Sequence, residues 1–99
     1  MARYSIIFWK DIPAQIKVSD EAGEISAVLP ERFQQAIDTA AMAENGAEED
    51  AYLAGWRVGE EKNRPGSAQE VLEALLAELD EAYPAKRLAE IVRSYQISP

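Results

Sequence analysis

The residues able to do chemistry in this chain are carboxylates, arginines, lysines and aromatics, because its 99 residues include neither histidine nor cysteine. That removes the usual nucleophile and base pairings, thiolate and imidazole metal sites, and the proton shuttle that works near neutral pH. The densest acidic run, Glu48-Glu49-Asp50, lacks the alternating spacing and internal glycine of a calcium loop and reads as the acidic start of a helix. Gly55-Trp56-Arg57-Val58-Gly59 has no strand before it and no lysine after it, so it is not a phosphate loop. A carboxylate hydrolase needs two acids with separated pKa values in one cleft, and the sequence presents no such pair. Neither a catalytic residue, a metal nor a cofactor is expected. What is left is recognition.

Recognition chemistry is concentrated in Trp9-Lys10-Asp11-Ile12-Pro13-Ala14-Gln15, where an apolar run breaks into a charged pair and a proline. Trp and Arg are the side chains most enriched at the energetic centres of protein interfaces. The candidate interaction residues are therefore Trp9, Lys10, Asp11, Pro13 and Gln15, joined by Arg32 and Arg57. Tyr52 and Trp56 fall at helical spacing and read as core residues that hold a short helix down. Trp9 has two placements: in the core, or on an apolar patch with Ile7 that a partner or a second copy of the chain would cover.

The elements that position these residues follow from periodicity. Residues 3–9 alternate Tyr4, Ile6 and Phe8 against Ser5, Ile7 and Trp9, with both faces apolar. Residues 14–19 alternate cleanly, a connection at Asp20 to Gly23 follows, and residues 24–29 place Ile25, Ala27 and Leu29 on one side. This predicts a three-stranded antiparallel meander. Pro30 and Glu31 open a helix over 30–45, carrying Phe33, Ala36, Ile37, Ala40 and Ala41 and stopping at Asn45-Gly46. A second helix is predicted over 48–60, with Gly55 and Gly59 marking close approach to another element. Lys62 to Gly66 reads as a turn, and Ser67-Ala68-Gln69-Glu70 as a capping box that starts a helix over 67–83. Pro84 separates it from a last helix over 85–95. The fold class is α+β: one domain over 1–99, with three to four helices packed on one face of the meander.

Composition sets the partners. Ten basic against eighteen acidic residues give a net charge of −8, which disfavours nucleic acid and anionic membrane surfaces, since polyanions are bound through clustered cations. The first residues contain no apolar run of the length a signal peptide or a membrane span requires. Together with the absence of cysteine this points to the cytoplasm.

The order of blocks WKDIPAQ (9–15), LPERFQQAID (29–38), DAYLAGW (50–56) and Gly66-Ser67-Ala68 resembles a small bacterial domain family known as "virulence factor", over most of the chain. The same module is similar to one attached to longer proteins with that label, which implies an accessory role. The resemblance implies a non-catalytic domain that acts through protein–protein interaction. It also implies, as an alternative, an accessory subunit of a corrinoid- or folate-dependent one-carbon enzyme system, with that enzyme as the partner. The link 43–49 is more polar here than the family pattern.

Overall fold

The computed structural model describes residues 1–45 and 53–96. Among the described residues the chain is α+β, with five antiparallel strands in one sheet and three helices besides the helical pair Leu53-Ala54. The strands are β1 (Ala2–Trp9), β2 (Ile12–Asp20), β3 (Gly23–Val28), β4 (Trp56–Val58) and β5 (Lys62–Arg64). The helices are α1 (Glu31–Asn45), α2 (Ala68–Ala82) and α3 (Ala85–Gln96). The predicted meander is present as β1-β2-β3, and the free side of β1 is taken by β4 at one end and β5 at the other.

The helix predicted over 48–60 is corrected in its second half. Leu53 and Ala54 are helical, but Trp56–Val58 is a strand antiparallel to β1, and Lys62–Arg64, read as a turn, is another. Residues 48–52 of that predicted helix, Tyr52 among them, lie outside the described residues. The glycines explain the switch. An added Cβ on Gly55 would lie 2.5 Å from Trp9 Nε1, and one on Gly59 would lie 3.0 Å from the Ile6 carbonyl oxygen. Both positions press the backbone against β1. Lys10 N–H donates to the Gly55 carbonyl at 2.8 Å and Gly59 N–H donates to the Ile6 carbonyl at 2.8 Å, so this segment spends its hydrogen bonds on β1.

A second correction concerns the break after Trp9, where the charged pair and Pro13 read from the sequence as one turn over Lys10 to Pro13. β2 begins at Ile12, so the connection is only Lys10-Asp11, and Pro13 is a buried strand residue opposite Phe8. Ile7 pairs with Gln15 and Phe8 with Pro13, which leaves Ala14 as the extra residue of a bulge. The bulge changes which side chains of β1 face the core. Tyr4 and Ile6 pack against it as alternation predicts, but Trp9, three residues beyond Ile6, is the next to join, at 0% exposure. Strict period-two reading put Trp9 with Ile7 on the opposite face. The irregularity moves it inward.

α1 and α2 cover one face of the sheet and form a single core with it: Trp9, Ile12, Ile16 and Val18 from the strands, Phe33, Ile37 and Ala40 from α1, Val71, Leu72 and Leu75 from α2. α3 packs along α1 and adds Leu88 and Val92. The capping box is as predicted: Ser67 Oγ accepts from Glu70 N–H and Glu70 Oε1 accepts from Ser67 N–H. Asp20 Oδ2 takes a further free amide, Ala68 N–H, at 2.8 Å, so the β2–β3 corner is tied to the start of α2. These bonds to backbone N–H groups, that of Ala68 first, hold the Asp20 carboxyl below its ordinary pKa, and Glu70 is lowered by Ser67 in the same way.

Candidate functional site

The residues singled out in the sequence fall into two places. Trp9, Lys10, Asp11 and Arg57 gather at the β1–β2 turn. Lys10, at the first turn position, has φ of +52°, a value two-residue hairpins usually assign to glycine. Holding a non-glycine residue there costs roughly 1–3 kcal/mol, and the surroundings supply reasons for it to persist. The Lys10 amide donates to Gly55, its carbonyl accepts from Arg57 Nε at 3.1 Å, and its ammonium lies 5.3 Å from the Trp9 ring centroid and 5.7 Å from that of Tyr95. Tyr95, from the end of α3, meets Trp9 edge-on at 6.2 Å and donates its hydroxyl to Asp11 Oδ2 at 2.7 Å. The turn is thus held from two sides, by β4 and by α3.

Arg32 is elsewhere. Its guanidinium donates to the Asp80 carbonyl at 2.9 Å, the Asp80 carboxylate at 2.7 Å and the Tyr83 carbonyl at 3.1 Å. Arg87, from α3, donates to the Ala82 carbonyl at 2.7 Å. α2 has no basic residue in its last turn, and these two arginines satisfy the carbonyls and the negative dipole end that its own sequence leaves bare. The opposite side of α2 is tied to β5, where Arg64 and Glu78 form a two-bonded ion pair. That pair lowers the Glu78 pKa and raises that of Arg64.

Gln15 belongs to the second place, the sheet face away from the helices. Val58, Ile7, Gln15 and Val28 stand opposite one another on β4, β1, β2 and β3 and form one row across the sheet. The neighbouring row, Ile6, Ile16 and Ala27, faces the core, which fixes this one as outward. Val58 is 67% exposed and Val28 74%, while Ile7 and Gln15 are half-buried. Phe8 and Arg57 border the row, with the guanidinium 4.4 Å from the Phe8 ring centroid. Beyond it the face turns polar through Ser5, Lys17 and Ser26, then Arg3, Ser19 and Glu24. Beside the bulge, between the end of the sheet and α1, a pocket of about 420 Å³ opens among Ala14, Gln15, Val28, Leu29 and Trp56, with Glu31 and Gln34 of α1 on its helix side. The row thus runs into a concave, mainly apolar recess.

Val28 and Val58 were not singled out from the sequence. The phase of β3 did contain the first, since Ile25, Ala27 and Leu29 point inward and leave Val28 outside. Val58 lay in a segment read as helix. Tyr95 closes the predicted last helix, and nothing in its neighbours along the chain indicates Asp11, 84 positions away.

Fold and site together define a small α+β domain whose sheet carries a helical layer on one face and an apolar row on the other. Residues 7–92, nearly the whole chain, match the family described as Virulence factor, and the chain belongs to that family. No curated protein and no solved structure matches it significantly. Among the described residues no helix is long and apolar enough to cross a membrane.

Proposed function

We propose that this domain acts by binding another protein through the open face of its sheet. One observation carries the reading: the outward row Val58–Ile7–Gln15–Val28, exposed at both ends and continuous with a pocket of about 420 Å³. The aliphatic side chains of this row, exposed at Val58 and Val28 and half-buried at Ile7, favour a covering surface, because each is stabilised when water is removed from it, by about 25 cal/mol per Å² of apolar area. The pocket receives an anchoring side chain, the row receives the rest of the partner's apolar stripe, and Arg57 and Lys17 stand at its borders as cations for a polar rim.

The candidates at the turn take different parts in this reading. Trp9 and Pro13 support the face from beneath, as core residues. Lys10, Asp11 and Tyr95 fix the turn, and Gln15 and Arg57 touch the partner directly. Arg32, committed to α2, has no part in it. The geometry offers nothing that favours a corrinoid or folate enzyme as the partner. The test is site-specific photocrosslinking in the native host. A crosslinker at Val58 or Ile7 captures a partner that one at Glu73, on α2, does not. Equal capture from all three positions, or from Glu73 alone, contradicts the proposal.

A further inference from the structure

The pocket beside the bulge has walls of two kinds. Trp56, Val28 and Leu29 give it an apolar side, while Gln15, Glu31 and Gln34 bring polar ends to it. Of the residues that line it Glu31 alone is charged, and no lysine or arginine is among them. The cations next in sequence to the lining are engaged elsewhere. Arg32, beside Glu31, donates to the Asp80 carboxylate and the Tyr83 carbonyl at the end of α2. Arg57, beside Trp56, donates to the Lys10 carbonyl and lies over the Phe8 ring. Among the described residues Glu31 has no ion pair, and the only hydrogen bond to its carboxylate is a long one, 3.4 Å from the Gln35 side-chain amide.

We infer that this pocket takes an arginine side chain of the partner, which rests on the open face being the binding surface. The match is one of shape and of charge. A side chain that is apolar along its stem and cationic at its tip suits a pocket with one apolar side and one acidic end. A neutral aliphatic anchor would fill the apolar side and leave the Glu31 carboxylate to lose water with nothing in return. An acidic anchor would meet Glu31 as a like charge. Guanidinium rather than ammonium follows from the acceptors and the aromatic wall. A carboxylate accepts two parallel N–H bonds from a guanidinium, and the side-chain carbonyls of Gln15 and Gln34 are acceptors for its remaining donors. The Gln34 amide nitrogen is held by Asp38 at 2.9 Å, so its oxygen is the end left to accept. A planar guanidinium also stacks on an indole such as that of Trp56.

The position of Glu31 gives it control of the charge preference. It is the first residue of α1, where unsatisfied backbone N–H groups make a positive end. Its carboxylate offsets that field, and without it a cation in the pocket would be repelled. The chain's net charge of −8 adds a longer-range attraction for a basic partner.

The test uses single-residue fragments on the isotope-labelled full chain and needs no identified partner. N-acetylarginine methylamide is compared with N-acetylcitrulline methylamide, which has nearly the same shape and no charge. Binding is read by NMR from the Trp56 indole N–H and the side-chain amides of Gln15 and Gln34. The arginine fragment shifts these signals at millimolar concentration and binds about fivefold tighter than the citrulline fragment, the upper range for a partly exposed ion pair. Glu31 is exposed, so Glu31→Gln keeps the fold, and it brings the preference down to about twofold or less. A citrulline fragment that binds as tightly, a preference that survives Glu31→Gln, or an absence of shifts at Trp56, Gln15 and Gln34 overturns the inference. Such a failure, with capture still specific to Val58 and Ile7, removes the arginine and leaves the open face as the binding surface. Loss of the crosslinking contrast removes the open-face reading itself.

Discussion

The two faces of the sheet are built from the same kinds of residue and end in opposite environments. On one, Ile12, Ile16 and Val18 are buried under α1 and α2; on the other, Ile7, Val28 and Val58 line up in register with no helix of the described residues above them. β-branched residues suit a strand on either face, so composition does not separate the two. What separates them is which face the helices' apolar stripes can reach, and the bulge at Ala14 sharpens the contrast by sending Trp9 to the covered side. The tryptophan, conspicuous in the sequence, therefore belongs to the core of the domain, while the plainer Val28 and Val58 are exposed.

The largest expected effect comes from the covered side. Trp9→Ala removes a fully buried side chain and should cost about 3–5 kcal/mol, read as a fall in denaturation midpoint. A matched pair then isolates the faces. Ile16→Thr, in the core, loses a methyl and buries a hydroxyl, and should cost about 2–4 kcal/mol. Ile7→Thr, on the open row, should cost less than about 1 kcal/mol. Similar losses from both would erase the distinction. Gly55→Ala pushes a methyl into the Trp9 ring from the β4 side and should cost about 1–3 kcal/mol.

The smallest effect is a pH dependence confined to the α2 junctions. Asp20, Glu70 and Glu78 all have folded-state pKa values below their ordinary ones. Their contribution is therefore complete above the unfolded carboxylate range, about pH 4 to 5, and is lost as pH falls through the lowered folded values. A thermal melt followed down the acid range should show stability falling, and Asp20→Asn should fall less steeply. An Asp20→Asn profile parallel to that of the unmodified chain would show that the bond to Ala68 does not tie the β2–β3 corner to α2.

Much of this architecture was legible in the residues. Alternation in 14–19 and 24–29, Pro30 at a helix start, and the Ser67–Glu70 box gave the meander and the helices α1 and α2 nearly in place. Illegible were the features that depend on distant partners. Trp56–Val58 is a strand only because β1 offers it a free edge, and Arg32 is a helix cap only because the end of α2 comes to it. The face of Trp9 could not be read because the register with β2 shifts between Ile7 and Phe8, which breaks the alternation of β1 just before Trp9. The break after Trp9 was visible in the charged pair Lys10-Asp11, but not that Lys10 would take a positive φ, held there by Gly55, Arg57 and the Trp9 and Tyr95 rings.

The proposed binding surface is the open face, not the turn or the helical layer. It is tested most directly by measuring the affinity of the captured partner for the unmodified chain and for the double variant Ile7→Thr/Val58→Lys, with melting curves recorded on both. Binding through the open face should weaken by tenfold or more, about 1.4 kcal/mol, with a melting transition close to that of the unmodified chain. Equal affinity in a folded double variant would contradict it.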